Sequence, residues 1–142
     1  MLSDQTYAQL LGLRTELRRF LRWSERQAAA EGLTGAQHQL LLAIRGHADP
    51  RGPTISDVAG HLLLRQNSAV ELVDRADAAG LVTRRRDDAD HRVVRLSLTG
   101  DGAARLERLS AAHLRELEQL QLLRPTLAPG SAQGDCRPDA DG

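Results

Sequence analysis

Residues 54–99, TISDVAGHLLLRQNSAVELVDRADAAGLVTRRRDDADHRVVRLSLT, decide the fold. Thr54-Ile55 is β-branched and reads as a short strand, and Ser56 can cap a short helix that turns Val58, Ala59 and Leu62 inward. A break at Leu63-Leu64-Arg65 leads into a second helix from Gln66 to about Ala79, which Gly80 closes. Two short helices joined by a tight turn form a helix-turn-helix pattern. Leu81 to Arg86 then reads as a strand, Asp87 to His91 as a polar loop, and Arg92 to Leu98 as the returning strand. A β-hairpin directly after a helix-turn-helix is a wing.

Working outward, Leu10, Leu13, Leu17 and Phe20 or Leu21 recur at helical steps between Tyr7 and about Ala30, with Arg14, Arg18, Arg22 and Arg26 as a polar stripe. Gly32 ends this helix. Thr34 with Gln37 makes a capping box for a second helix through Leu40, Leu41 and Ile44 to about His47. Asp49 to Pro53 is a turn by chemistry. On the other side Thr99 caps a helix with Leu106, Leu109, Leu117 and Leu120 along one side. From Pro125 to Gly142 the chain holds three Pro, three Gly and little apolar content, and reads as a disordered tail. The expected organisation is therefore a dimerisation helix over 1–33, a winged helix-turn-helix domain over 34–99, a second dimerisation helix over 100–124 and a tail over 125–142. The fold class is mainly α with a small hairpin wing. Both flanking helices carry apolar stripes too long for one small domain to cover, so a homodimer is expected, with Leu10, Leu13, Leu17, Leu109, Leu117 and Leu120 at its interface.

Composition narrows the function. The 142 residues carry no net charge, and Arg supplies all 19 cations with no Lys. A generally basic coat for nucleic acid is excluded, while a local patch of guanidinium forks is not. The lone Cys136 excludes an internal disulfide framework, no apolar run is long enough to cross a bilayer, and no signal peptide opens the chain, so a cytoplasmic protein is expected. The five His form no HExxH pair and no zinc-type cluster with Cys. The Asp87-Asp88-Ala89-Asp90-His91 loop lacks the central Gly and closing Glu of a calcium loop. There is no Gly-rich phosphate loop and no GxSxG elbow. An enzyme is not expected, nor is a metal or a cofactor.

The helix from Gln66 to Ala79 separates into two faces. Ala69, Leu72, Val73 and Ala76 point inward, while Ser68, Glu71 and Arg75 lie opposite them, with Gln66 and Asn67 at the helix start. Asn and Gln can bind adenine through two hydrogen bonds, Ser can serve several bases or a phosphate, and Glu can accept from cytosine or orient an Arg. The helix N-terminus also offers free N–H groups to phosphate oxygens. Between Val82 and Arg95 five Arg stand against three Asp, a local positive excess that includes Arg84 and Arg86. An Arg at a hairpin tip can enter the minor groove.

The run Ala59 to Thr99 resembles the MarR family of bacterial transcriptional regulators. The resemblance is carried by Leu62 to Val70, Leu72-Val73-Asp74-Arg75, Ala79-Gly80-Leu81-Val82, the wing Asp87-x-x-Asp90-x-Arg92, and the exit Leu96-Ser97-Leu98-Thr99-x-x-Gly102. It implies a dimeric repressor of the winged helix-turn-helix type on a double-stranded DNA operator, with Gln66–Ala79 in the major groove and Arg92 as the wing-tip arginine. Asp90 and Asp87 would hold the wing. Arg65 stands where many members carry a small capping residue and suggests a phosphate contact. The expected DNA-binding set is Arg65, Gln66, Asn67, Ser68, Glu71, Arg75, Arg84, Arg86 and Arg92. The resemblance also implies a small aromatic or phenolic effector, with Trp23, His38 and, less favoured, Tyr7 as pocket liners. Pro125, Pro129 and Gly130 break the pattern where members continue into a final helix, and no Cys lies in the first helix, where some members sense peroxide. The rival reading is a winged-helix module for protein contact alone, which the zero net charge and Glu71 favour.

Overall fold

A computed structural model describes residues 1–120. The expected tail from Pro125, Cys136 within it, and the last residues of the 100–124 helix lie outside the described residues. The order of elements is α1 (Asp4–Ala30), α2 (Gly35–Gly46), α3 (Ile55–Leu62), α4 (Gln66–Ala78), β1 (Val82–Arg86), β2 (Val94–Leu98) and α5 (Gly100–Gln119). The strands pair antiparallel, Val82 opposite Leu98 and Arg86 opposite Val94. The fold is the expected one, mainly helical with a hairpin wing behind a helix-turn-helix.

Side-chain caps start the helices. Ser3 accepts from the Thr6 amide and begins α1 at Asp4, three residues before the expected Tyr7. Thr34 and Gln37 form the expected capping box on α2. At α3 the structure corrects the sequence reading. Thr54-Ile55 is not a strand, and Ser56 is not the cap. Thr54 caps α3 in a capping box with Asp57, while its backbone forms a single bridge to Arg95. One β-branched residue thus serves both roles, because Gly52 at φ +90° lets the chain pass tightly along β2. A Cβ on Gly52 would lie 2.4 Å from the Leu96 carbonyl oxygen.

Three helices end alike. After α1 and α4 the chain turns through Gly32 and Gly80 at positive φ, and Leu33 and Leu81 bond back to the carbonyls of Ala28 and Ala76. After α3 the left-handed position is held by Leu63 at φ 55°, with Leu64 bonding back to Ala59. Leu63 is 92% exposed.

The core gathers Leu40 and Leu41 of α2, Val58 of α3, Val73 and Ala76 of α4, Leu81 and Val82, Leu96 of β2, and Leu106 and Leu109 of α5. α5 enters it closely: Thr99 donates to the Gly80 carbonyl at 2.6 Å, and a Cβ on Gly102 would sit 2.2 Å from the Leu81 oxygen. Leu109, expected at a dimer interface, is 2% exposed and belongs to the core of the protomer. The apolar stripe of α5 serves two surfaces in succession, Leu106 and Leu109 facing the core while Leu117 and Leu120 further on are half-buried and Leu114 is exposed. Along α1, Tyr7, Leu10, Leu13, Leu17 and Leu21 are exposed. No helix among the described residues is long and apolar enough to cross a membrane.

Candidate nucleic-acid interface

α4 packs by Ala69, Val73 and Ala76, which are buried, with Leu72 half-buried beside them. The same rotation leaves Gln66, Asn67, Ser68, Glu71 and Arg75 exposed. Arg65 is the N-cap residue, but its side chain makes no capping bond, so the first-turn amides of α4 are not covered from that position. Ser56 of α3 donates to Gln66 Oε1 at 3.2 Å, and Asn67 Oδ1 accepts from the Ser68 amide at 3.1 Å.

The hairpin lies beside this helix and its arginines do different work. Arg84 reaches back to α4, bonding Asp74 and standing 3.7 Å from Asp77. Arg84, expected to touch DNA, has its side chain engaged by two carboxylates of α4. Arg86, on the same face of β1, is exposed and makes no ion pair among the described residues. Arg85 turns to the other face, donating to the Arg51 carbonyl and lying 3.9 Å from Asp88. Arg92 is 91% exposed and pairs with Asp90 through Nε at 3.1 Å.

The wing is held from within by Asp87, which is 5% exposed. It accepts from Arg95 Nε at 2.9 Å and from the amides of Ala89 at 2.8 Å and Asp90 at 3.3 Å. The Arg95 hydrogen bond first, and then the amides, keep its carboxyl below the usual carboxylate range. Arg95 also donates to the Gly52 carbonyl at 3.1 Å, tying the wing to the turn before α3. Asp90 is held low chiefly by its bond to Arg92.

The two residues expected to line an effector pocket separate in space. Trp23 lines a cavity of about 590 Å³ between α1 and α5, with Phe20, Arg19, Arg22 and Glu116. His38 is not among its lining residues. It is 4% exposed on α2, its Nδ1 has no hydrogen-bond partner, and burial, then the neighbouring His113, push its pKa down. His113 links the two, its ring centre 4.7 Å from Trp23 and 4.8 Å from His38. Its Nδ1 donates to the Leu109 carbonyl at 2.7 Å, which leaves Nε2 to accept from the buried Ser24 hydroxyl at 2.7 Å. Tyr7 lies on the exposed side of α1, away from these rings. Sequence reading missed Ser56, Asp74, Ser24 and His113 in these roles. Only Asp74 carried a local signal, as an acid one turn beyond Glu71.

Two helices joined by a tight turn, followed by a hairpin and bracketed by long helices, define a winged helix-turn-helix protein. The MarR family profile matches residues 31–93. Over 81 residues the chain is 27% identical to the HTH-type transcriptional repressor MdtR of Bacillus subtilis (strain 168), a match covering 57% of this chain and 50% of the repressor. The match therefore spans about half the length of that relative. A crystal structure of a MarR family transcription regulator superposes with TM-score 0.72 at 25% identity, covering 82% of this chain and 75% of the other. Bordetella bronchiseptica BpsR, described for the regulation of its DNA binding by 6-hydroxynicotinic acid, superposes with TM-score 0.60 at 26% identity, covering 75% and 74%. Over residues 31–93 the chain is similar to the MarR family. That family is non-enzymatic, in keeping with the expectation from the motifs.

Proposed function

We propose that this chain is a DNA-binding transcriptional repressor that acts as a homodimer in the cytoplasm on a pseudo-palindromic operator. The observation that carries the reading is the exposed polar face of α4, with Gln66, Asn67, Ser68, Glu71 and Arg75 set between a helix N-terminus that no N-cap side chain closes and a hairpin bearing Arg86 and Arg92. These side chains supply base-edge donors and acceptors beside phosphate partners. The B. subtilis relative is itself named a repressor. Dimerisation is supported by α1, about 40 Å long, whose Leu10, Leu13 and Leu17 lie exposed in a row. A second copy is the occupant that a two-fold operator calls for, with recognition helices in major grooves one turn, about 10 bp, apart.

A small aromatic effector is part of the same proposal. The cavity beside Phe20 and Trp23 offers ring faces with Arg19 and Arg22 near them, and the name of BpsR ties DNA binding to an aromatic acid in that protein. His38 enters this role only through His113, not as a wall of the cavity.

Fluorescence anisotropy tests the proposal, using the duplex upstream of the chain's own gene against a scrambled duplex at several salt concentrations. A preference of a hundredfold or more, about 2.7 kcal/mol, that weakens steeply with salt is the expected result. Absence of binding to either duplex at low salt would overturn it in favour of the protein-contact module.

A further inference from the structure

Gln66 is the first residue of α4, and its amide oxygen has a partner on the preceding helix. The hydroxyl of Ser56 donates to its Oε1 at 3.2 Å across the gap between α3 and α4. Ser56 sits in the first turn of α3, which the Thr54–Asp57 capping box closes with bonds of 2.9 and 3.1 Å. The Thr54 bridge to Arg95 fixes that turn against β2. The donor is thus mounted on a part of the fold that is held from both sides.

A glutamine amide has one acceptor oxygen and two donor hydrogens at opposite corners. Reading adenine in the major groove uses both corners, the oxygen for N6–H and the nitrogen for N7, whereas guanine presents two acceptors, N7 and O6. With its oxygen drawn toward Ser56, Gln66 turns its NH₂ outward. We propose that Ser56 is a positioning residue that makes Gln66 a donor-only reader, so that the base step it meets favours guanine over adenine. This refines the sequence expectation that Gln66 binds adenine, and it rests on the reading of α4 as the DNA-recognition helix.

The test is a binding selection on duplexes randomised across each half-site, using the full chain and the variants S56A, S56T and Q66A. The wild-type protein is expected to prefer guanine over adenine at one base step by about fivefold or more. S56A should bring that ratio to unity or invert it, with its melting temperature unchanged because the side chain is exposed. S56T keeps a hydroxyl at the same place and should restore the ratio, and Q66A should flatten the same base step. A specific binder whose guanine-to-adenine ratio is untouched by S56A, or in which Q66A alters no base step, would overturn the inference while leaving the regulatory reading intact. A wild-type protein that selects no sequence would overturn both.

Discussion

Replacing Arg84 separates two ways in which a cation beside DNA can act. The structure commits Arg84 to Asp74 and Asp77 on α4, one turn and two beyond Glu71. Its contribution to DNA binding should therefore be to cancel those carboxylates rather than to meet a phosphate. A bare carboxylate about 8 Å from a phosphate is repelled by roughly 0.5 kcal/mol in water-like surroundings and by about 2 kcal/mol at an effective dielectric of 20. Removing the one guanidinium that these two carboxylates share, Arg84→Ala should weaken binding by about 0.5–2 kcal/mol, or twofold to thirtyfold. The fold itself should lose no more than about 1 kcal/mol, because the pair is partly exposed.

Anisotropy titrations on one operator, at low salt where screening is weakest, compare wild type, R84A and R84A/D74N/D77N. The neutralised triple variant should return to within about threefold of wild type, less than 1 kcal/mol. The slope of log affinity against log salt should stay as it was, because no phosphate contact was removed. If R84A instead lowers that slope by about 0.9 per protomer, and removing both acids restores nothing, Arg84 is a direct phosphate contact and the pairing seen in the structure is only its resting state.

Leu109→Ala, in the core, should cost about 2–5 kcal/mol of stability at any protein concentration, whereas Leu13→Asp on the exposed face of α1 should leave the protomer folded and break the dimer. Thermal melts at two concentrations with size-exclusion chromatography check both, and an L13D protein that stays dimeric would move the interface off α1. Leu63→Gly should stabilise the fold by about 0.5–1 kcal/mol, since Gly takes the left-handed conformation without strain and the exposed leucine contributes no burial; an unchanged urea midpoint would show that the turn carries no strain. Burial holds the folded-state pKa of His38 below its ordinary 6.5, so the unfolded chain takes up the proton first. The stability His38 contributes is then complete above pH 6.5 and lost as the pH falls through that value toward the lower folded one. Urea titrations at pH 7.5 and 5.5 should show this loss in wild type and a smaller one in H38L, and equal slopes in the two proteins would remove His38 as its source.

Helices and wing were legible because their signals are local. Thr34 with Gln37, the glycines at 32 and 80, and the spacing of Ala69, Val73 and Ala76 each lie within one or two turns of what they determine. Thr54 was misread because a β-branched residue before a helix satisfies both a strand pattern and a cap pattern, and only the passage of Gly52 along Leu96 shows that it serves both. Leu109 could not be told from Leu117 by periodicity, since the turns of α5 that meet the core are chosen by α2 and β2 and not by α5. The bond between Ser24 and His113 joins residues 89 apart, and no spacing rule reaches that far. In the candidate site the exposed face of α4 was readable as a helical wheel. Which hairpin arginine pairs with which acid was not, because that depends on how β1 lies against α4.

That pairing explains how a chain with no net charge can still present a positive face. Between Thr54 and Thr99 seven arginines stand against seven acidic residues. Asp74 and Asp77 are engaged by Arg84, Asp87 by Arg95, Asp88 by Arg85 and Asp90 by Arg92. Asp57 is engaged by the Thr54 cap and by His47 at 3.6 Å. Among the described residues of this segment Arg65, Arg75 and Arg86 pair with no carboxylate, against Glu71 and Asp57, which no arginine engages, and Asp74 and Asp77, which share the single charge of Arg84. Two of these arginines lie on or beside the first three turns of α4 and the third on the adjoining strand, so the guanidinium groups without a carboxylate partner gather near the N-terminus of α4, which favours an anion. Composition reports the sum over all charges, but an approaching phosphate responds to those left uncompensated on the surface it meets. Zero net charge therefore does not by itself exclude a locally positive surface, and the acids of the wing read as the devices that hold its arginines in place.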